Sequence, residues 1–237
     1  MNAQQLSHRL ERVAHFVPKH AVVADIGSDH AYLPCYLVGN GLADRAIAGE
    51  VVKGPYESAK KQVQQEGLED RITVRLASGL LAIEPADGVT AVVIAGMGGP
   101  LIASILEGDK NRLEGVQRLI LQPNVHARAI REWAAANGWA IAEEEIIEEN
   151  RKIYEIVVLE PAEKEIRFTE AELILGPKLM AERTDVFCTK WQREAAQWKN
   201  IIASMESTEQ TMEIVEKKHE LVRKIKLVEE VLHGENS

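Results

Sequence analysis

Residues 21–34 read AVVADIGSDHAYLP and combine a strand, a tight loop and the start of a helix. The apolar run ends in Asp25, the chain turns at Gly27, and helix-forming residues begin near His30. A strand, loop and helix in this order present backbone N–H groups to a ligand. We therefore predict a ligand-binding loop at Gly27, within an α/β fold.

The loop also indicates the kind of ligand. A dinucleotide fingerprint places glycines two and five positions after the first one, where this chain has Asp29 and Tyr32. The carboxylate of Asp29 would repel a pyrophosphate, but it suits a ligand with an amino group or a sulfonium centre. S-adenosyl-L-methionine (SAM) carries both groups, and we predict it as the cofactor.

Further β-rich runs follow, separated by helix-like stretches. They are RAIAGEV (45–51), RITVRLASG (71–79), AVVIAGMGG (91–99) and QRLILQPN (117–124). This alternation is typical of a parallel sheet with crossover helices. Two more strand-like runs, 139–150 and 151–161, have no helix between them and predict an antiparallel hairpin that turns at Glu149 and Asn150. The pattern predicts a Rossmann-like class I SAM-dependent methyltransferase domain, although nicotinamide-binding sheets begin in the same way.

Each predicted strand ends in residues suited to SAM. Glu50 stands 25 residues after Asp25, where a carboxylate accepts both ribose hydroxyls. The loop after the third strand is placed to contact the adenine edge, and the glycines after the fourth let the backbone approach the methionine moiety. The candidate cofactor residues on these grounds are Asp25, Gly27, Asp29, Glu50, Ser78, Gly79, Leu80, Ala95, Gly96, Met97 and Gly98.

Composition limits the class of protein. The chain has 237 residues, a formal net charge of -9 and two cysteines, Cys35 and Cys188, which lie in no zinc-like or disulfide-like pattern. We expect no metal. The sequence shows no leader peptide and no membrane-spanning run, so we expect a cytoplasmic protein that contacts no membrane. The acidic charge opposes non-specific binding to nucleic acid, so any RNA contact requires a local basic patch.

The composition changes after Pro161 to long helix formers without strand-like runs. Trp191, Ala195 and Trp198 lie at spacings of four and three, as in a heptad seam. We predict a methyltransferase domain over 1–160 and a helical extension over 161–237, built on an antiparallel coiled-coil hairpin. We expect a monomer, and pairing of the seam between two chains is the alternative.

Four strings together, DIGSDHAYLP, AGEV, AGMGG and LQPN, resemble the bacterial tRNA adenine-22 N1-methyltransferase family, known as TrmK. The resemblance covers nearly the whole chain, and Asp29 is distinctive because ordinary methyltransferases carry glycine there. It implies methyl transfer from SAM to N1 of an adenine in the D-arm region of tRNA. It adds three residues to the cofactor site, Ser28, His30 and Val51. It places a further segment beside the target base, Gln122, Pro123 and Asn124.

The expected chemistry is simple, because a ring nitrogen already has an in-plane lone pair and mainly needs alignment with the methyl group. The methylated ring is cationic, so Asp29 is the candidate catalytic residue. Holding the amino group of SAM or capping the helix is the alternative role for Asp29. Tyr154 is a candidate to stack on a flipped base, with core packing as its alternative. Neither cysteine is placed for covalent catalysis.

The predicted first helix carries a basic face beside its apolar stripe. The basic residues are His8, Arg12, His15 and Lys19, at the same spacing as the apolar Leu6, Leu10, Val13 and Val17. The helix leads into the strand that carries the cofactor loop. We therefore predict that Arg12 and Lys19 contact tRNA phosphates near the methyl donor. Basic residues of the tail, such as Lys217 and Lys224, compete for this role.

Two other functions stay open on the residues alone. One is a SAM methyltransferase that acts on a small molecule or on another RNA position. The other is a non-catalytic nucleotide-binding module that recruits a partner through its helical extension and binds SAM without turnover.

Overall fold

The β-rich runs form one mixed sheet in a computed structural model, which describes residues 5–205 and 211–234. The strands are β1 (Ala21–Ile26), β2 (Ala43–Glu50), β3 (Ile72–Leu76), β4 (Ala91–Gly98), β5 (Arg118–Val125), β6 (Trp139–Glu149) and β7 (Lys152–Pro161). Their order across the sheet is β3-β2-β1-β4-β5-β7-β6. The chain therefore reverses its direction of travel between β1 and β4, and such a switch point is where open α/β sheets bind ligands.

Strands β1 to β5 are parallel, and β7 pairs antiparallel with both β5 and β6. The parallel sheet and its closing hairpin are thus confirmed. The turn of the hairpin is formed by Asn150 and Arg151, one position later than predicted, and both residues have positive φ. Two consecutive residues with positive φ are the requirement of the type I′ turn that matches the twist of paired strands.

The core of the sheet lies at β1 and β4. Val23, Ala24, Val92 and Val93 are fully buried, so consecutive residues that point to opposite faces are both covered. Parallel strands buried on both faces read as continuous apolar runs, which is the pattern AVVADI and AVVI that the sequence shows. The helices that cover the faces are α1 (His8–His15), α2 (Tyr32–Gly39), α3 (Lys53–Gln65), α4 (Gly99–Gly108) and α5 (Arg128–Ala136).

Helix α1 is shorter than its sequence pattern predicts. It begins after Ser7, whose hydroxyl accepts the N–H of Leu10 at 3.3 Å, and it ends at His15. Pro18 disfavours helical backbone at the residue before it, so the chain leaves the helix. Lys19 therefore lies in the turn before β1 and does not belong to the helical face.

The chain divides into two compact units after Arg167. The second unit is helical, with α6 (Glu170–Leu175), α7 (Pro177–Glu182), α8 (Asp185–Met205) and α9 (Met212–His233). Helices α8 and α9 pack against each other through buried residues that include Trp191 and Leu221, and Lys199 forms an ion pair with Glu229 at 2.7 Å. None of the described helices is long and apolar enough to cross a membrane. The coiled-coil geometry of the extension stays a prediction.

Candidate active site

The loop after β1 carries a buried carboxylate. Asp25 is 4% exposed, and its Oδ2 accepts a hydrogen bond from the Ser28 hydroxyl at 2.6 Å. Burial raises the pKa of Asp25 to about 7, with a further increase from the nearby charge of Glu50, although the bond from Ser28 lowers it. This carboxyl is therefore only partly ionised at neutral pH, and a positive charge nearby would favour its ionised form.

A second buried carboxylate lies at the end of the neighbouring strand. Glu50, the last residue of β2, is 6% exposed and accepts the backbone N–H of Asp29. Burial raises the pKa of this carboxyl as well. In the described part of the chain, no Lys or Arg forms an ion pair with Asp25 or Glu50. The two acids are therefore suited to a cationic or hydroxyl-rich ligand.

The loop that follows β1 makes several tight turns. Gly27, Asp29 and Ala31 all have positive φ, at 73°, 46° and 55°. Non-glycine residues adopt this backbone at a cost of about 1–3 kcal/mol each, and such strain concentrates at ligand sites. Ala31 is the residue before α2, and this helix has no side-chain cap. Asp29 therefore does not cap the helix, which removes that alternative role.

The side chains of Asp29 and His30 face outward. That of Asp29 is 71% exposed and that of His30 is 46% exposed, with 3.7 Å between the Asp29 carboxylate and Nε2 of His30. The His30 ring stacks on Tyr32 with 5.3 Å between the ring centroids. The backbone of Asp29 is thus fixed by Glu50 while its carboxylate stays available to a ligand or substrate.

The loop after β3 rests on the end of β2. The N–H of Ala77 donates to the carbonyl of Glu50 at 2.8 Å, and a 3-10 turn follows over Gly79–Ala82. Ser78 is exposed, whereas the whole of Leu80 is buried, so Leu80 supports the loop from within and offers no surface to a ligand. Val51, directly after β2, is 66% exposed at the same edge.

The end of β4 closes the site on its other side. A Cβ on Gly27 would overlap the Met97 methyl group, so the loop after β1 touches the end of β4 at this point. A Cβ on Gly99 would overlap the carbonyl of His126, which brings the start of α4 against the end of β5. Gly96 is bonded to two side chains of β5, Gln122 at 3.0 Å and Asn124 at 2.7 Å. The structure therefore brings the predicted base-side segment next to the predicted methionine-side loop.

Arg9 also belongs to this site, although the sequence patterns did not predict it. Its guanidinium donates to Oε1 of Gln122 and lies 5.4 Å from the centroid of the Tyr154 ring. Its backbone N–H donates to Glu149 at 3.2 Å. Its spacing could have indicated this role, because Arg9 lies three residues after Leu6 and four before Val13 and so falls on the apolar face of the helix. A cation on such a face needs a partner.

The predicted basic face is placed differently from expectation. Arg12 is held in an ion pair with Glu145, with 2.8 Å between its Nε and the carboxylate. Lys19 precedes β1 and therefore lies at the amino edge of the sheet, whereas the cofactor loop follows the carboxyl end of that strand. The expectation that Lys19 sits near the methyl donor is thus wrong, because the full length of β1 separates them.

Comparisons with known proteins agree with this architecture. The family model described as "TrmK: tRNA (adenine(22)-N(1))-methyltransferase" matches residues 23–230. The tRNA (adenine(22)-N(1))-methyltransferase of Bacillus subtilis is 44% identical over 239 residues, which cover 99% of this chain and 100% of the relative.

Solved structures of similar proteins have the same fold. The B. subtilis m1A22 tRNA methyltransferase TrmK superposes with a TM-score of 0.91 at 44% identity, over 97% of this chain and 99% of that one. Sp1610 of Streptococcus pneumoniae, solved in complex with SAM, superposes with a TM-score of 0.88 at 45% identity, over 97% of this chain and 100% of that one. The Rossmann-like methyltransferase fold with C-terminal helices is confirmed.

Proposed function

Because the chain belongs to the tRNA (adenine(22)-N(1))-methyltransferase family, we propose that the loops at the carboxyl edge of its sheet hold SAM and direct its methyl group to N1 of adenine 22. The protein is a SAM-dependent tRNA methyltransferase. One observation is the main support for placing the site at this edge of the sheet. Two buried carboxylates, Asp25 and Glu50, end adjacent strands beside a strained glycine loop and have no described Lys or Arg partner.

The residues present fit SAM. When bound, SAM supplies an electrophilic methyl group on a sulfonium centre. Glu50 would accept the ribose hydroxyls, and the exposed Val51 and Ser78 would contact the adenine ring. The negative charge of Asp25 and Asp29 suits the amino group and the sulfonium. The remaining cofactor residues would line the methionine end, namely Gly27, Ser28, His30, Ala95, Gly96, Met97 and Gly98. Gly79 would contact the adenine edge, and the buried Leu80 would hold this loop in place.

Catalysis by these residues is mainly positioning. The N1 lone pair of adenine needs no general base, so the enzyme must hold the ring in line with the donor methyl group and exclude water. Developing positive charge on the ring is stabilised by a nearby carboxylate, and Asp29 has an exposed one. Its second role, holding the amino group of SAM, predicts weaker SAM binding without a change in turnover at saturation. The variant Asp29→Asn separates the two roles, because it keeps the shape and removes the charge.

The target base has its place on the side of β5 and β7. Tyr154 is half-buried, and one face of its ring is covered by the Arg9 guanidinium. The other face is the stacking surface that we assign to the flipped adenine. We assign Asn124 and the buried Pro123, which follow Gln122 in β5, to the same base site. The buried Gln122 acts differently, since its amide is bonded within the protein and organises the loop.

The remaining expectations are part of the same proposal. Residues 1–160 form the methyltransferase domain, and the helical extension over 161–237 serves the large tRNA substrate. We expect the protein to act as a monomer in the cytoplasm, with tRNA as its partner. Light scattering of the full chain checks the oligomeric state.

The proposal is tested with labelled SAM, unmodified tRNA and a primer-extension stop at the methylated base. We expect one methyl group at N1 of adenine 22. Glu50→Gln should weaken SAM binding at least tenfold by calorimetry, because a neutral amide accepts the ribose hydroxyls less strongly. Glu143→Gln, an exposed carboxylate on β6, is the control and should bind SAM as the wild type does. Equal SAM affinity of Glu50→Gln and the wild type would refute the assignment of Glu50.

A further inference from the structure

Gly96 leaves the hydrogen-bond ladder between β4 and β5. The register of the two strands shifts between Ala95 and Met97, and Gly96 has a φ of 80°. Its polar backbone groups still need partners. Its N–H donates to Oε1 of Gln122 at 3.0 Å, and its carbonyl accepts from Nδ2 of Asn124 at 2.7 Å. Two side chains of β5 thus replace the missing ladder bonds.

These backbone partners fix the orientation of both side-chain amides. An N–H group can only donate and a carbonyl can only accept, so the oxygen of Gln122 faces Gly96 N–H and its Nε2 faces the Pro123 carbonyl at 2.9 Å. For Asn124 the reverse holds, because its Nδ2 faces the Gly96 carbonyl. Rotating the Asn124 amide by half a turn would set two oxygens against each other. Its Oδ1 is therefore the amide atom that does not face the Gly96 carbonyl.

The two amides differ in what they leave for a ligand. Gln122 is fully buried, and both ends of its amide are bonded within the protein. Asn124 is exposed, and its Oδ1 has a long contact of 3.5 Å with Nε2 of Gln122, which leaves a lone pair for another donor. Met97, next to Gly96, reaches Gly27 in the cofactor loop. The exposed acceptor thus stands beside the place from which the methyl group comes.

Adenine presents a matching pair of groups. Its N1 is the acceptor that becomes methylated, and the exocyclic N6 amine beside it is a hydrogen-bond donor. An acceptor that binds the amine aligns the ring and leaves the N1 lone pair unprotonated. Guanine would bring its O6 against the same oxygen. We propose that Oδ1 of Asn124 accepts the N6 amine of the target adenine and thereby selects adenine, an inference that rests on the proposed function.

The test compares two tRNA transcripts, one with adenosine and one with purine riboside at position 22, since purine riboside has N1 but no N6 amine. Each is assayed at saturating SAM with the wild type and Asn124→Ala. We expect the wild type to prefer adenosine in kcat/KM by about tenfold to a hundredfold, because an acceptor desolvated without a donor is costly. Asn124→Ala should lose most of this preference.

Purine N1 is intrinsically less nucleophilic than adenine N1, but this difference is the same for every variant and cancels when preferences are compared. Asn111→Ala, an exposed asparagine in the 3-10 turn 110–113, is the matched control. If Asn124→Ala methylates neither transcript, the affinities of both transcripts, measured by fluorescence anisotropy with S-adenosylhomocysteine present, replace kcat/KM. An unchanged adenosine preference in Asn124→Ala overturns the inference. A wild type that leaves the adenosine transcript unmethylated refutes the proposed function instead.

Discussion

Two regions of the first unit bury carboxylates, and they do so in opposite ways. On the side of α5, β6 and β7, Glu144 and Glu155 flank the fully buried Arg131, with N–O distances of 2.7 and 2.5 Å. At the carboxyl edge, Asp25 and Glu50 are almost as deeply buried but have no described Lys or Arg partner. The first group of charges is neutralised inside the protein, and the second is not.

The pKa directions follow from this difference. The two glutamates raise the pKa of Arg131 against the opposing effect of its burial, so the cation stays charged. Burial raises the pKa of Asp25 and Glu50, because no Lys or Arg is paired with either carboxylate to offset the loss of water. A buried acid with a protein cation belongs to the framework, whereas a buried acid without one marks a place where a cationic ligand is expected.

The largest effect is expected at the buried ion pairs of Arg131 with Glu144 and Glu155. Arg131→Met should lower the free energy of unfolding by about 3–5 kcal/mol, because it strands two buried carboxylates. Urea unfolding measures it. Arg128→Met, one helical turn away, removes a half-exposed pair with Glu132 at 2.7 Å and should cost under about 1 kcal/mol. Equal losses in the two variants would mean that the buried network does not hold the framework together.

The next effect concerns Asp25 and depends on pH. Its pKa of about 7 in the folded chain, against an ordinary value of 3.8 in the unfolded chain, means that between these values unfolding releases a proton. The free energy of unfolding should therefore fall as the pH rises through this range, by about 4 kcal/mol in total. Asp25→Asn removes this dependence.

The measurement is thermal or urea unfolding of both forms at several pH values from 4 to 8, without SAM. The stability of Asp25→Asn relative to the wild type should increase with pH. At neutral pH, added SAM should raise the stability of the wild type more than that of Asp25→Asn. Parallel pH profiles for the two proteins would show that Asp25 ionises normally and would remove the contrast with Glu144 and Glu155.

A smaller effect is expected from Gly27, the glycine at which the loop after β1 meets the end of β4. Gly27→Ala should cost about 1–2 kcal/mol through its positive φ, and it should weaken SAM binding further by displacing Met97. Gly41→Ala is the matched control, since Gly41 has a φ of 67° and open space around it. Adding Met97→Ala to Gly27→Ala should recover part of the stability. If both glycine variants bind SAM like the wild type, the contact of this loop with β4 is unimportant for the cofactor.

The smallest effect is expected for cations outside both buried groups. Lys19→Glu should change tRNA affinity less than about threefold, because Lys19 lies at the edge of the sheet away from the site. Arg12→Glu should cost under about 1 kcal/mol of stability, since its partnership with Glu145 is partly exposed. Salt titrations of tRNA binding measure the contribution of each charge. A tenfold loss of tRNA affinity with Lys19→Glu would place an RNA contact at the amino edge of the sheet. It would support the prediction that Lys19 contacts tRNA phosphates.

The sequence predicted the parallel sheet, the hairpin and the cofactor loops because those features follow from local patterns. Apolar runs such as AVVADI are buried on both faces, and glycines such as Gly27 occupy positions of positive φ. Strand ends meet at one edge in any parallel sheet, so Asp25 and Glu50 could be grouped before the structure was known. The resemblance to TrmK supplied the substrate, which periodicity and spacing did not.

Tertiary structure decided which charges have partners. Helical spacing could not show that Arg12 pairs with Glu145, 133 positions later, or that Arg9 rather than Arg12 reaches Gln122. Nor could the string LQPN show that the Gln122 side chain is buried and hydrogen-bonded within the protein while that of Asn124 is exposed. The physical reason is that local sequence sets backbone conformation and burial tendency, whereas hydrogen bonds between distant strands and helices exist only once the packed sheet has brought them together.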